Sequence, residues 1–190
     1  MPSTALNDHL VPLLADAYDL DAAHRRLRTG RPGRQYRLAA LNRAAVVTCI
    51  SAWEAYIEEL VRESLAALRP ATSPLGSWPA LNASVRGLLG RFHTPNADQV
   101  RQLLSDALGL PDIHLSWFWR NCTSTQAVQR LAFAMDLRHQ IAHGVNPRPL
   151  VDNAYSSKLP VFFERLGACT DAAVRGHLVD VLGIANPWPL

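Results

Sequence analysis

From Tyr36 to Leu68 the chain runs without a single glycine or proline. Those are the residues that most strongly interrupt a helix. Ile50, Trp53, Ile57, Leu60, Val61 and Leu68 fall at helical spacing along this stretch and mark one apolar stripe. At ~1.5 Å per residue such a helix reaches about 50 Å. A rod of that length, apolar along one side, buries its stripe only against other long helices, so the segment points to a bundle.

The rest of the chain reads the same way. Leu10, Leu13, Leu14, Ala17 and Leu20 give an amphipathic helix from about Ala5 to Leu27, ended by Thr29-Gly30-Arg31-Pro32-Gly33. Between Pro70 and Pro95 the chain is punctuated by Pro74, Gly76, Pro79, Gly87 and Gly90, which predicts a long connection with one short helical piece around Ala83–Leu89. Asn96 or Asp98 caps a helix through Leu108, closed by Gly109 and Pro111. Thr123-Ser124-Thr125-Gln126 starts another that runs to His143 and stops at Gly144, with Pro147 beyond. A last helix covers about Ala154 to Val181. Strand alternation, internal repeats and low-complexity tracts are absent from the sequence. The 190 residues therefore read as one domain, an all-α up-and-down bundle of four to five main helices with an irregular Pro/Gly-rich insertion.

Hydrophobic residues make up 48 % of the chain, enough for a core without disulfides or metals. Cys49, Cys122 and Cys169 are odd in number and form no CxxC, which argues against a disulfide framework or a zinc ribbon. Charged residues are 18 %, below the roughly 25 % of an average soluble protein, so apolar surface is left over for a partner. The N-terminal segment has no basic stretch of the secretory type, and no apolar run approaches the ~18–20 residues that span a bilayer. These features predict a cytoplasmic protein with no membrane partner. The net charge of +3 does not by itself identify a nucleic-acid binder. Of 19 basic residues 18 are Arg and only Lys158 is Lys, a bias that mostly reflects a GC-rich coding sequence. Even so, the guanidinium fork suits phosphate better than an ammonium does.

The most informative stretch is Asp136-Leu137-Arg138-His139-Gln140-Ile141-Ala142-His143-Gly144. Val128, Leu131, Ala132 and Met135 form a stripe, and helical phase puts Arg138 in line with Leu131, His139 with Val128 and His143 with Ala132. The predicted seam thus runs into one Arg and two His. Three chemistries fit. One is a solvated helix end whose cations complement the dipole. Another is a zinc site on His139 and His143, although the metalloprotease pattern needs a Glu where Gln140 stands and no third ligand suggests itself. The third is acid–base work on a phosphodiester, with Arg holding the charge that develops on phosphate oxygens. A second pair, Arg86 and His93, is set aside because Gly87 and Gly90 interrupt any helix there and no apolar seam leads to it.

Arg138-x4-His143, with a polar residue directly after the Arg and the ending Ile141-Ala142-His143-Gly144, resembles the signature of the HEPN superfamily. Ser51-Ala52-Trp53-Glu54-Ala55-Tyr56-Ile57-Glu58-Glu59-Leu60 is similar to the Trp-Glu-rich helix of the RiboL-PSP-like and related bacterial HEPN groups. Thr94-Pro95-Asn96, leading to Leu108-Gly109-Leu110-Pro111-Asp112-Ile113, resembles the middle of those proteins, so the likeness spans about Leu41 to Gly144.

The resemblance implies a helical bundle that dimerises and, in many members, a metal-independent endoribonuclease that needs no cofactor. In that chemistry the ribose 2′-OH attacks the adjacent phosphate and leaves a 2′,3′-cyclic phosphate and a 5′-OH. By motif position His143 is the acid–base residue, Arg138 binds the scissile phosphate and His139 orients substrate or adds a second protonatable group. One Arg and two His are few donors for such a site, and a dimer bringing two motifs together supplies twice as many.

Glu54 either faces the motif helix and orients His143 or His139, or forms a solvated pair with Glu58. The run from His24 to Arg37 carries six Arg and no acid. Arg25, Arg26, Arg28, Arg31 and Arg34 are thus candidate contacts to an RNA backbone, the alternative being an ordinary basic loop paired to helix carboxylates. Trp117-Phe118-Trp119 either stacks unpaired bases or packs in the core and dimer face. These readings converge on a homodimeric RNA endonuclease of the toxin or phage-defence kind, with an antitoxin or sensor protein encoded nearby as its expected partner. A non-catalytic HEPN module binding RNA, nucleotide or a partner protein is the alternative, and a purely structural helical dimer with an incidental motif is a third.

Overall fold

The computed structural model describes residues 1–29, 36–70, 76–145, 147 and 149–188. A π-helical turn over Ala5–Leu10 runs into α1 (Val11–Leu27), and α2 (Tyr36–Ala67) is the long central helix. Then come α3 (Trp78–Leu89), α4 (Ala97–Leu108), a 3₁₀ turn (Ile113–Ser116), α5 (Ser124–Ala142), the single turn α6 (Asn153–Ser156) and α7 (Leu159–Asp180). The described residues hold no strand. Only Trp119 and Cys122 pair their backbones, at 3.0 and 2.9 Å, across a tight turn whose Asn121 has a φ of +69°. The all-α bundle follows the sequence pattern.

Helix α2 is the axis because its stripe is the core. Val46, Cys49, Ile50, Trp53, Tyr56, Ile57, Leu60 and Val61 are all fully or almost fully buried, and α1, α4, α5 and α7 pack against them. Trp53 sits at the centre, with ring centroids 5.6 Å from Tyr56 and 6.1 Å from both Trp117 and Phe163. Carboxylates from two other helices close the start of the first one. Glu63 of α2 accepts from the Thr4 and Ala5 amides at 3.0 Å each. Asp171 of α7 accepts from the Ser3 amide and hydroxyl, and Ser3 Oγ accepts from the Leu6 amide. These bonds satisfy N–H groups that a helix start leaves without partners. Burial pushes the Asp171 carboxyl up, and the Ser3 hydrogen bonds pull it back.

Two sequence expectations change. The helical piece in the Pro/Gly-rich connection is longer than Ala83–Leu89, because Pro79 stands in the first turn of α3, where a missing N–H costs nothing, and Gly87 is carried inside the helix. The final helix is broken rather than continuous from Ala154: α6 ends at Ser156, and Pro160 lies in the first turn of α7. All three cysteines are free thiols, and burial together with Glu164 raises Cys49 to about 12. No helix among the described residues is long and apolar enough to cross a membrane.

At Gly167 three elements meet. Tyr56 donates its hydroxyl to the Gly167 carbonyl at 3.0 Å, and a Cβ there would lie 2.2 Å from Leu10 Cδ2 and 3.1 Å from Leu6 Cδ1. Leu10 is fully buried, so it can give way only by shifting within the packed core. Gly167→Ala should therefore cost about 1–3 kcal/mol in urea unfolding. Much of that loss should be recovered when Leu10→Ala is added, a non-additive cycle expected only if this contact carries the effect.

Candidate active site

The capping box of α5 fixes its start: Thr123 Oγ1 accepts from the Gln126 amide, and Gln126 Oε1 accepts from the Thr123 amide. Its end is equally determined. The Gly144 amide donates to the Ile141 carbonyl and the Val145 amide to the Gln140 carbonyl, with Gly144 at a φ of +70°, so His143 becomes the capping residue of a Schellman closure.

Between those ends the buried side is Ala127, Leu131, Ala134, Met135 and Leu137. This corrects the predicted seam, since Ala132 is exposed. Arg138, in phase with Leu131 and Ala127, is half-buried on the core side, whereas His139 and His143 stand on the neighbouring exposed strip with Ala132 and Asp136. Alanine has little apolar area to bury, so it gains little by facing inward and the phase of a helix holding four alanines is weakly written in its sequence. The two imidazoles lie one turn apart with ring centroids 4.3 Å from each other, inclined at 60°. Asp136, nearest to them in sequence, takes a hydrogen bond from Gln140 Nε2 at 2.7 Å.

Helix α2 supplies a carboxylate. Glu54 is half-buried, and the charges acting on it are those of Arg138, Glu58 and His93. Glu58 is committed to Arg62 at 2.6 Å, and so is Glu59 at 3.1 Å. Of the two alternatives for Glu54, the pair with Glu58 is loosened because Glu58 turns to Arg62 on its own helix, while Arg138 of the motif helix acts on Glu54 through its charge. Burial lifts the Glu54 carboxyl above its ordinary range despite the pull of Arg138; Glu58 adds to the rise and His93 opposes it.

A carboxyl whose folded-state pKa is raised is ionised near neutrality at a cost the unfolded chain does not bear. Glu54→Gln should thus stabilise the fold at neutral pH. The gain should fade in acid and disappear below 4.5, the ordinary value, where both states hold the proton. Urea midpoints of wild type and variant across that range give the test.

His93 is the residue that sequence reasoning left out. It follows α3 in the segment Phe92-His93-Thr94-Pro95-Asn96, where Phe92 is buried, Asn96 caps α4 by accepting from the Gln99 amide, and the Pro95 carbonyl accepts from Trp53 Nε1 at 2.9 Å. That last bond brings the segment beside the residue next to Glu54. Gly87 and Gly90 argued against a motif at Arg86 and His93, yet α3 passes through Gly87 and ends at Gly90, delivering His93 as a single side chain and not as part of a second motif.

The other candidates are scattered. Arg25, Arg26 and Arg28 are exposed at the end of α1, and Arg25 is paired to Asp21 at 3.2 Å. Arg31 and Arg34 lie outside the described residues. The chain leaving α5 comes back toward this end of the bundle, since Asn42 Nδ2 donates to the Val151 carbonyl and Asn153 Nδ2 to Asp21. The aromatic triplet divides: Trp117 is fully buried and donates to Thr170 Oγ1 at 2.9 Å, Trp119 leans on Phe162, and Phe118 is 65 % exposed. Among the described residues no cluster of three His, Cys, Asp or Glu side chains is placed to hold a metal ion.

A site made of one partly sheltered guanidinium, two adjoining imidazoles and a nearby carboxyl suits proton transfer next to an anion. Comparison with protein families matches residues 19–174 to the one described as RiboL-PSP-HEPN. Neither the curated proteins nor the solved structures returned a match.

Proposed function

Because this chain belongs to the RiboL-PSP-HEPN family, we propose that it is a metal-independent endoribonuclease, with Arg138, His139 and His143 as its catalytic residues. The observation that carries this reading is the last turn and a half of α5: a half-buried Arg138 beside two exposed imidazoles one turn apart. Two such imidazoles can divide the work of transesterification. One takes the proton from the 2′-OH as its oxygen attacks phosphorus; the other gives a proton to the 5′-oxygen as its bond to phosphorus breaks. Arg138 faces the charge that gathers on the phosphoryl oxygens. Its low exposure favours that role, because a guanidinium partly withdrawn from water acts more strongly on a neighbouring anion. Glu54 is a positioning residue that acts on Arg138 through its charge.

The site is open, with both histidines on the surface. A second copy of the chain set against this strip would double the donors and exclude water, so the active form in this reading is a homodimer with a composite cleft. A cytoplasmic enzyme that cuts RNA without a metal harms its own cell unless restrained. The toxin or phage-defence role and an antitoxin or sensor protein as partner follow from that.

The test is incubation of purified protein with single-stranded RNA in EDTA. Cleavage should leave 2′,3′-cyclic phosphate and 5′-OH ends, and a strand carrying a 2′-deoxy ribose at the cut position should survive there. Tight binding with no turnover would instead support a non-catalytic RNA-binding module.

A further inference from the structure

Away from the histidines, a groove of about 580 Å³ is bounded by the turn before α5, by α5 itself and by the start of α7. Arg120, Arg130, Lys158 and Arg165 line it from these three segments, and no carboxylate does. All four cations are exposed, and none forms an ion pair among the described residues. Four uncompensated charges in one groove exceed the net charge of the whole molecule, +3. Like charges gathered this closely repel one another, and an anion is what relieves them. Glu164 is the acid next in sequence to Arg165, but it is held elsewhere by the Tyr18 hydroxyl at 2.9 Å.

The groove also has an aromatic wall. Trp119 lines it and, with Asn121, continues into a second groove alongside exposed Phe118. The paired backbones of Trp119 and Cys122 close a two-residue turn that presents Arg120 at its tip. Cations for phosphates beside an indole face for bases are what a single nucleic-acid strand requires, and the Arg fork matches phosphate oxygens in pairs. On α5, Arg130 and His139 lie nine residues apart, half a helical circumference and about 14 Å of rise. The groove is therefore separate from the motif and opens on the other side of the same helix.

We infer that the Arg120–Arg130–Lys158–Arg165 groove is a binding site for the backbone of single-stranded RNA, distinct from the cleavage site. That the strand is RNA rests on the endonuclease reading above; that the groove holds a phosphate chain rests on the groove alone.

The test is fluorescence anisotropy with a labelled single-stranded 20-mer, using His143→Ala so that cleavage does not interfere. Adding Arg120→Glu and Arg165→Glu, both at exposed positions, should weaken binding at least tenfold. The slope of log affinity against log salt should drop by about 1.4, the share of two phosphate contacts. In the His143 background the same reversals should raise KM and leave kcat near wild type. A DNA strand of the same sequence and inorganic tripolyphosphate should compete, separating a general phosphate-chain site from one that reads the ribose. Unchanged affinity after charge reversal, in protein of wild-type melting temperature, would overturn the inference. So would absence of any RNA binding, which would leave an acidic polypeptide as the groove's occupant. Binding without cleavage by the wild-type chain would count against the nuclease reading only.

Discussion

His143→Ala should reduce single-turnover RNA cleavage in EDTA by about 10²–10⁴-fold, the usual contribution of a positioned acid or base. Since His143 is exposed, the variant should melt with the wild type. Arg138→Ala should be comparably damaging, at about 10²–10³-fold, the cost of removing a donor aimed at developing charge. Arg138→Lys should restore little, because an ammonium offers neither the fork nor the reach of a guanidinium. Unlike His143, Arg138 is half-buried and opposes the raised pKa of Glu54, so its loss should also lower stability near neutrality, and Glu54→Gln should recover that part without recovering activity. The proposed dimer enters through concentration: activity per protomer should fall on dilution toward its dissociation constant. Wild-type turnover by His143→Ala would sink the assignment at once.

The largest effect on stability is expected at Trp53, which is fully buried among Tyr56, Trp117 and Phe163 and donates its N–H to the Pro95 carbonyl. Trp53→Ala should cost about 3–5 kcal/mol for the cavity and about 1–3 kcal/mol more for the carbonyl left without a donor. Against a typical total of about 5–15 kcal/mol, this leaves a protein that barely folds. Trp53→Phe separates the two parts: it keeps most of the ring and should lose about 1–3 kcal/mol through the hydrogen bond. The segment from Phe92 to Asn96 should then open more readily in hydrogen exchange, while α1 and α7 stay protected. Equal protection of that segment in wild type and Trp53→Phe would mean that the Trp53–Pro95 bond does not hold it in place.

The parts of the fold that were legible in the sequence are those written locally. Asn96, the Thr123/Gln126 box, Gly109 and Gly144 mark helix ends through bonds spanning three to six residues, and each stands where the pattern put it. Pro79 misled because a proline inside a first turn and a proline that ends a helix look alike until the neighbouring backbone is known, and the last helix was read straight through Pro160, which in fact opens α7. In α5 the choice between Ala132 and Ala134 as the inward residue depended on what α2 presents, so the end of the helix was legible while His139 and His143 were turned by one strip. His93 was out of reach for a different reason: its segment is held at Pro95 by an indole N–H forty-two residues earlier in the chain. The groove around Arg120 was equally hidden, since its cations come from three segments and only folding gathers them.

Gly144 gives the end of α5 a further meaning. Nothing lies within 4 Å of where its Cβ would be, so it is backbone conformation and not space that keeps glycine there. With a β-branched residue at 144 the two closing bonds would be lost and the chain would leave α5 in another direction, carrying His143 with it. The His143 imidazole is thus mounted on a bend rather than on a rod. In the proposed mechanism, a lineage of this protein falls silent by losing a residue that has no side chain at all, with Arg138, His139 and His143 still present.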